Sequence, residues 1–130
     1  MPKISVIIPA RNAGSCIEKC LLSLKAQTFQ DFEVIVVDDA SRDRTSEIAR
    51  RYARVIKSEE NLGEGAARNL GAQEAKGEIL VFTDADVIVP SGWLAKILED
   101  MQRYNVKCVG GGYCGCLGSY TAEVSPPTGP

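Results

Sequence analysis

Two apolar runs of this chain end in paired aspartates, and this placement constrains the fold more than any other feature of the sequence. The run 33–37 is followed by Asp38 and Asp39, and the run 79–82 is followed by Thr-Asp-Ala-Asp at 83–86. Such runs are typical of parallel strands that are covered on both faces, and the carboxyl ends of those strands meet at one edge of a sheet. Carboxylates gathered there repel one another unless a cation, a proton or a hydroxyl-rich ligand relieves the repulsion. We therefore expect a divalent metal and a polar ligand at that edge.

Strand and helix patterns alternate along the chain. Strands are predicted at 4–9, 33–37, 55–57 and 79–82, and helices at 15–24, 41–54, 64–76 and from Pro90 onward. Ser15 and Glu18 predict a capping box at the start of the first helix, and Gly77 is placed to end the third. Alternation at this spacing predicts an α/β fold, a doubly wound, mostly parallel sheet with helices on both faces.

The pattern changes after Val109. Three glycines at 110–112, Cys-Gly-Cys at 114–116 and the proline-rich residues 126–130 show no apolar periodicity. We therefore predict one α/β domain over 1–109, with its last strand at 106–109. An irregular Gly/Pro-rich segment over 110–130 is predicted to follow it.

Composition limits the partners that the chain can have. The 130 residues are 45% hydrophobic, enough for one core that buries roughly two thirds of the unfolded surface. A net charge of −2 gives no electrostatic footprint for nucleic acid. No apolar run approaches the roughly 20 residues of a membrane span, and the amino terminus does not read as a signal peptide. We expect a cytoplasmic protein with a small-molecule ligand, no nucleic-acid partner and no membrane span.

The five cysteines are an odd number in a chain without an export signal, so reduced thiols are expected. Cys108, Cys114 and Cys116 lie close in sequence, but the chain has no histidine and lacks the paired spacing of zinc ribbons. No zinc site is therefore expected. Cys16 and Cys20, four residues apart beside aliphatic residues, are predicted to lie on the buried face of the first helix.

Four segments carry a more specific pattern. They are 4–12 (ISVIIPARN), 27–41 (QTFQDFEVIVVDDAS), 61–69 (NLG followed by ARN) and 79–86 (ILVFTDAD). In this order and spacing they resemble the donor-binding, N-terminal half of the family-2 glycosyltransferases. The resemblance implies a GT-A fold with a Rossmann-like nucleotide-binding half, a nucleotide-sugar donor and a divalent cation. It also implies transfer to an acceptor, unknown here, with inversion of the anomeric centre.

The resemblance assigns roles to the clustered acids. Asp39 matches the family acid that accepts a hydrogen bond from the base, and a carboxylate suits the N3–H of uracil or the N1–H and amino group of guanine. UDP-sugars and GDP-sugars are therefore both expected donors. Asp84, Ala85 and Asp86 match the Asp-x-Asp element, in which residues two apart point the same way. The first acid is implied to face the ribose and the second to hold Mn²⁺ or Mg²⁺ at the diphosphate, and both Asp84 and Asp86 are candidate metal ligands.

Residues outside the acids complete the expected donor site. Arg68 matches a basic residue near the diphosphate, and its charge would offset phosphate charge. The nucleoside pocket is expected to be shaped by Pro9, Ala10, Arg11 and Asn12. Many relatives carry an aromatic residue where this chain has Arg11, so the resemblance carries no stacking role to that position.

Several other acids and glycines of the chain are expected to have ordinary structural roles. Asp31, Asp38 and Asp43 are expected to be ordinary turn or cap residues, and the glycines at 63 and 65 are expected to serve the turn before a helix.

The catalytic base is unassigned, because Glu123 is the only acid that follows the helix after Pro90. A non-catalytic nucleotide-binding remnant is therefore an alternative to an active transferase. A second copy or another chain could complete the site, so we expect a homo-oligomer. A receiver-type phospho-acceptor domain is a further alternative, but it places an acid pair after the first strand, where this chain has Pro-Ala-Arg at 9–11.

Overall fold

The computed structural model describes residues 2–104, 109–114 and 119–124. Along the chain these residues form ten elements: β1 (Ile4–Ala10), α1 (Ile17–Lys25), β2 (Phe32–Asp39), α2 (Thr45–Ala49), β3 (Arg54–Ser58), α3 (Glu64–Glu74), β4 (Ile79–Phe82), α4 (Trp93–Tyr104), β5 (Val109–Cys114) and β6 (Ser119–Val124).

The first four strands form one parallel sheet in the order β3-β2-β1-β4. In the register, Ala10 lies beside Asp38 and Ile7 lies beside Phe82, so β1, β2 and β4 all end at one edge. The strand order reverses direction beside β1, where connections leave to both sides, and ligands of open α/β sheets bind at such a point. The structure confirms the predicted α/β fold with a mostly parallel sheet.

Helices cover both faces of this sheet, because side chains alternate along each strand. On one face, Ile4, Val6 and Ile8 of β1 pack in a common core with α1 and α4, which contribute the buried residues Ile17, Leu21, Leu24, Trp93, Leu94 and Ile97. On the other face, Ile35 and Val37 of β2 pack against Ala67 of α3.

Helix α3 lies so close to the sheet that Gly71 has no room for a side chain. A Cβ atom at Gly71 would lie 2.5 Å from Cγ2 of Ile7 and 3.1 Å from Cγ2 of Val37. This contact holds the backbone of α3 against β1 and β2.

The amino edge of the sheet is closed by a small polar network. The buried Ser5 hydroxyl donates to Oε2 of Glu33 at 2.5 Å and accepts the Gly77 N–H at 2.7 Å. The Lys76 N–H also donates to Glu33, at 2.7 Å. Burial raises the pKa of Glu33, but the hydrogen bonds from Ser5 and Lys76 outweigh it, so that the pKa is lowered overall.

The network also explains Gly77, which does not end α3 as the sequence predicts. Helix α3 ends at Glu74, and a Cβ atom at Gly77 would lie 2.6 Å from the backbone nitrogen of Ser5. The glycine is required by close approach to β1.

Two predicted helix boundaries are also wrong. Helix α1 begins at Ile17 with no side-chain cap, so Ser15 and Glu18 form no capping box. Helix α2 spans only Thr45–Ala49 within the predicted range 41–54. Residues 41–44 form an irregular connection before it, in which the N–H groups of Ser41 and Arg42 donate to Oδ1 of Asp38 and Oδ1 of Asn12 respectively.

The segment 110–130 is not irregular where it is described. Strands β5 and β6 pair in antiparallel fashion, from Val109 beside Val124 to Cys114 beside Ser119. Such pairing is fixed by backbone hydrogen bonds and needs no apolar periodicity, which is why the glycine-rich sequence concealed it. Of the strand predicted at 106–109, only Val109 lies in β5, and 106–108 fall outside the described residues. The domain boundary at Val109 stays a prediction.

Candidate functional site

A cleft of about 510 Å³ opens at the carboxyl edge of the parallel sheet. It is lined by residues at the carboxyl ends of the four parallel strands and in the segments that follow them: Pro9, Ala10, Arg11, Asn12, Ala13, Cys16, Asp39, Asn61, Gly63, Glu64, Asp84, Ala85 and Asp86. Every residue predicted for the donor site lies in this lining except Arg68, which contacts it. The sequence did not indicate Ala13, Cys16, Asn61 or Glu64, and it assigned Gly63 only to a turn.

Asp39 is buried at the end of β2, and both of its carboxylate oxygens are already in use. Oδ1 accepts the Leu62 N–H at 2.6 Å and Oδ2 accepts the Gly63 N–H at 2.9 Å. Asp39 therefore holds the β3–α3 loop against the sheet, a role that sequence reasoning did not find. A carboxylate has about four lone-pair positions, so two remain for a further donor.

Asn12 clamps the loop after β1 to the loop after β2. Its backbone N–H donates to Oγ of Ser41 at 2.8 Å, and its side-chain Oδ1 accepts the Arg42 N–H at 2.9 Å. Asn12 has a φ of 50° and Ala40 a φ of 58°, in the left-handed region that asparagine tolerates better than alanine. The loop after β2 thus braces the loop after β1, which forms one wall of the cleft through Arg11, Asn12 and Ala13.

A second connection between these loops involves Asp43 and Thr45. Oδ2 of Asp43 accepts the Gly14 N–H at 2.9 Å, and Oγ1 of Thr45 accepts the Ala13 N–H at 2.9 Å. The Thr45 hydroxyl donates in turn to Asp43. This bond and those from the Gly14 and Thr45 N–H groups lower the pKa of Asp43, outweighing the effect of burial.

Asp38 is also a structural acid, as the sequence suggested. It is buried and accepts hydrogen bonds from the Ser41 N–H and the Ser46 hydroxyl. Asp38 therefore closes the turn that leads into α2 and does not line the cleft.

Arg68 projects from α3 toward the acids of the cleft. Its Nη2 lies 3.4 Å from Oδ1 of Asp84 and 3.7 Å from Oε2 of Glu64. These side chains are partly exposed, at 38% for Arg68 and 54% for Asp84. The guanidinium therefore offsets part of the negative charge at the end of β4.

Two cysteine thiols lie close to Asp84 and Asp86. Cys20 is buried in α1 as predicted, and its Sγ donates to the backbone carbonyl of Asp84 at 3.6 Å. Burial, with the nearby Cys16 thiol and the Asp86 and Asp84 carboxylates, raises the pKa of Cys20 to about 12. Cys16 precedes α1 and lines the cleft, and burial and Asp86 raise its pKa as well. Both groups are therefore protonated thiols at neutral pH.

The acids of the cleft fit a metal that a ligand helps to hold. Among residues 2–103, no three acidic, cysteine or histidine side chains are close enough to hold a metal ion by themselves. Asp84 and Asp86 nevertheless face the same cleft. Mg²⁺ and Mn²⁺ favour oxygen ligands, and Mg²⁺ is commonly held by one or two carboxylates together with substrate phosphates. The residues therefore suit a cation that arrives with a phosphate ligand.

Within the described parts of the chain, no helix has the length and apolar character needed to cross a membrane.

Comparisons with known proteins connect this cleft to one family. The family model Glycosyl transferase family 2 matches residues 5–123. Glycosyltransferase AglE of Haloferax volcanii is 37% identical over 119 residues, which cover 85% of this chain and 39% of AglE. The chain thus spans about two fifths of the length of that relative.

Solved structures give the same result. Residues 1–349 of TarS of S. aureus, in complex with UDP-GlcNAc, superpose with a TM-score of 0.74 and 34% identity, covering 79% of this chain and 32% of that TarS fragment. Mannosyltransferase PcManGT of Pyrobaculum calidifontis, in complex with GDP-Man and Mn²⁺, has a TM-score of 0.75 and 33% identity, covering 81% of this chain and 34% of PcManGT.

The family model spans most of the chain and includes all four strands that end at the cleft. This match decides against a receiver domain. On its sequence, its sheet and its similarity to these enzymes, the chain belongs to the family-2 glycosyltransferases.

Proposed function

We propose that the cleft binds the nucleotide-diphosphate part of a UDP-sugar or GDP-sugar together with Mn²⁺ or Mg²⁺, as the donor side of an inverting glycosyltransferase. The observation that carries this proposal is the convergence of Asp39, Asp84 and Asp86 from two strand ends on one cleft, with Arg68 beside them. The ligands of TarS and PcManGT, UDP-GlcNAc and GDP-Man with Mn²⁺, support the class of ligand.

Each residue has a task in this proposal. The free lone pairs of Asp39 accept the N–H groups of uracil or guanine, and residues 9–12 form the wall against the nucleoside. Asp84 faces the ribose and adds a second carboxylate beside the cation, which Asp86 holds. Arg68 provides a positive charge for the diphosphate. The cation, when bound, supplies charge stabilisation to the departing nucleoside diphosphate.

Transfer also requires a base that removes the proton of the acceptor hydroxyl as the sugar carbon inverts. We assign this role to no residue of the described cleft. The proposal is therefore that a second copy or another segment supplies the base, and that the 130 residues alone bind the donor better than they transfer sugar. Leu80 and Phe82, 41% and 45% exposed on β4, provide an apolar surface for self-association. The cytoplasmic location stays a prediction from the sequence.

Calorimetric titration of UDP and GDP, with Mn²⁺ or with chelator, tests donor binding. Asp86→Asn is expected to abolish the benefit of Mn²⁺ and to leave the melting temperature nearly unchanged, because it removes one charge from neighbouring acids. Asp31→Asn, which removes an exposed acid outside the cleft lining, is the matched control. Equal affinity with Mn²⁺ and with chelator in the unsubstituted protein would show that the metal role is wrong. Donor binding without transfer by any assembly of the chain would favour the non-catalytic alternative.

A further inference from the structure

Arg68 and Asp84 form an ion pair at the place where the proposed function requires both to bind something else. Nη2 of Arg68 is 3.4 Å from Oδ1 of Asp84, and the only other carboxylate oxygen described near it is Oε2 of Glu64, at 3.7 Å. The pair joins α3 to the end of β4, across the mouth of the cleft that Asp84 and Glu64 line.

From this geometry we infer that Arg68 is an exchangeable counterion of Asp84, which couples cation binding to diphosphate binding. The inference rests on the proposed function and deepens it. Without ligand, the guanidinium neutralises Asp84 and repels an incoming divalent cation. A diphosphate attracts the guanidinium, and Asp84 then becomes available.

The fold restricts this exchange to the side chain of Arg68. The neighbouring Ala67 is buried against Ile35 and Val37, and Gly71 touches the sheet with no room for a Cβ atom. The backbone at Arg68 is therefore fixed. The side chain is 38% exposed and free to turn between Asp84 and a phosphate in the cleft.

The small number of acids makes the counterion effective. No third acidic, cysteine or histidine ligand joins Asp84 and Asp86 among residues 2–103, so a cation alone depends on these two carboxylates. With Asp84 held by Arg68, little attraction remains for a cation without nucleotide. Because linkage is reciprocal, a cation that displaces Arg68 from Asp84 raises the affinity for diphosphate by the same factor.

A merely structural ion pair predicts something different. Exposed ion pairs contribute up to about 1 kcal/mol to stability. Loss of a merely structural pair would change the affinities for Mn²⁺ and for the nucleotide in the same direction, or change neither. The counterion role requires that loss of Arg68 raise the affinity for Mn²⁺ alone and lower the affinity for UDP or GDP in chelator.

Arg68→Gln is the decisive variant, and Arg51→Gln is its control. Arg51 is also exposed and also lies near one carboxylate, Oε2 of Glu18 at 3.9 Å, but outside the cleft lining. The affinity for Mn²⁺ alone is measured by electron paramagnetic resonance of free Mn²⁺. The affinity for UDP and GDP in chelator is measured by calorimetry.

Arg68→Gln is expected to bind Mn²⁺ alone about two- to fivefold more tightly, and UDP or GDP in chelator at least about fivefold more weakly. Adding Asp84→Asn to Arg68→Gln should remove the gain for Mn²⁺. Arg51→Gln should change neither affinity. Thermal melts of all variants report whether the fold is retained.

Unchanged or weaker Mn²⁺ binding by folded Arg68→Gln overturns the counterion role even if nucleotide binding by the unsubstituted protein is normal. Absence of Mn²⁺-dependent nucleotide binding in the unsubstituted protein overturns the proposed function itself, and the inference with it.

Discussion

Asp39 offers the sharpest test of the site because the structure gives it two tasks that one substitution separates. Its carboxylate accepts the N–H groups of Leu62 and Gly63, and the proposed function adds the N–H of a base. Asp39→Asn keeps one oxygen and replaces the other with an NH₂ group, which is a donor. The variant therefore affects both the loop and the choice of base.

The cost to stability follows from the two bonds to the loop. A hydrogen bond to a charged group contributes about 1.5–3 kcal/mol, and leaving a buried donor unpaired costs about 1–3 kcal/mol. Since one of the two bonds is lost in a buried position, we expect Asp39→Asn to lower the free energy of unfolding by about 2–4 kcal/mol. A typical domain is stable by about 5–15 kcal/mol, so the variant should remain folded and open to binding measurements.

The effect on the base has a different signature. A carboxylate favours uracil and guanine, whose ring nitrogens carry hydrogen, over cytosine and adenine, whose corresponding nitrogens accept. The NH₂ group of asparagine can donate to cytosine or adenine. Asp39→Asn is therefore expected to lower the affinity ratio of UDP to CDP, or of GDP to ADP, by at least about tenfold, the effect of roughly 1.4 kcal/mol.

Gly63→Ala is the matched control for the loop. Gly63 has a φ of 87° and a ψ of 161°, a conformation found essentially only in glycine, so alanine there strains the same loop by about 1–3 kcal/mol but leaves the Asp39 carboxylate intact. Calorimetric titrations with UDP, CDP, GDP and ADP are made on both variants at a temperature where both are folded. Gly63→Ala should weaken all four nucleotides similarly and preserve their ratios. The same uniform loss in Asp39→Asn would refute the base-reading role and leave Asp39 as an anchor of the loop.

Three further predictions concern the scaffold. Gly71→Ala should destabilise the protein by about 1–3 kcal/mol in urea unfolding, because its Cβ would lie 2.5 Å from Cγ2 of Ile7. Gly65→Ala, on the same helix but with open space around it, should be neutral or stabilising by up to about 1 kcal/mol. Equal effects of the two substitutions would contradict the close packing of α3. The pKa of Glu33 is lowered in the folded state, so the ionised carboxylate stabilises the fold above its unfolded pKa near 4.5, and this stabilisation is lost as the pH falls through the folded pKa. The difference in unfolding free energy between the unsubstituted protein and Glu33→Gln should therefore shrink from pH 7 to pH 3. A constant difference would contradict this. Ala40 has a left-handed φ of 58°, so Ala40→Gly should relieve up to about 1 kcal/mol of backbone strain, partly offset by the greater entropy of glycine in the unfolded chain. Clear destabilisation in urea unfolding would argue against that strain.

The sheet and its acidic edge were predictable because their signals are local. Apolar runs mark β1, β2 and β4, and the acids that follow the runs of β2 and β4 stay at the carboxyl ends of those strands. Asp39 could not be interpreted fully in this way, because its partners lie 23 and 24 residues further along the chain. The same limit applies to Cys16, whose helical spacing from Cys20 predicts burial although it precedes α1 and lines the cleft.

Tertiary contacts also override local preference in the connections. The residues at 41–44 are predicted as helix, but Ser41 and Arg42 are held by the side chains of Asp38 and Asn12, and α2 begins only at Thr45. The pairing of β5 with β6 depends on backbone hydrogen bonds between two segments, so the sequence of neither segment alone indicates a strand. Local patterns thus locate the layers of the fold, and the long-range hydrogen bonds decide how the loops of the cleft are held.

The clamp between Asn12 and Ser41–Arg42 has a consequence for altering the proposed donor preference of this protein by directed evolution. Because the two loops share reciprocal hydrogen bonds, a change at Asn12 also releases the N–H of Arg42, so positions on this wall constrain each other. The β3–α3 loop is held by Asp39 through the backbone N–H groups of Leu62 and Gly63. Oδ1 of Asn61 also accepts the Gly63 N–H, at 3.3 Å, but the shorter bond to Asp39 remains when Asn61 is replaced. A library that randomises Asn61 and Leu62 therefore samples new contacts at low cost to folding, whereas positions 12 and 41, whose side chains form the clamp, have to be randomised together.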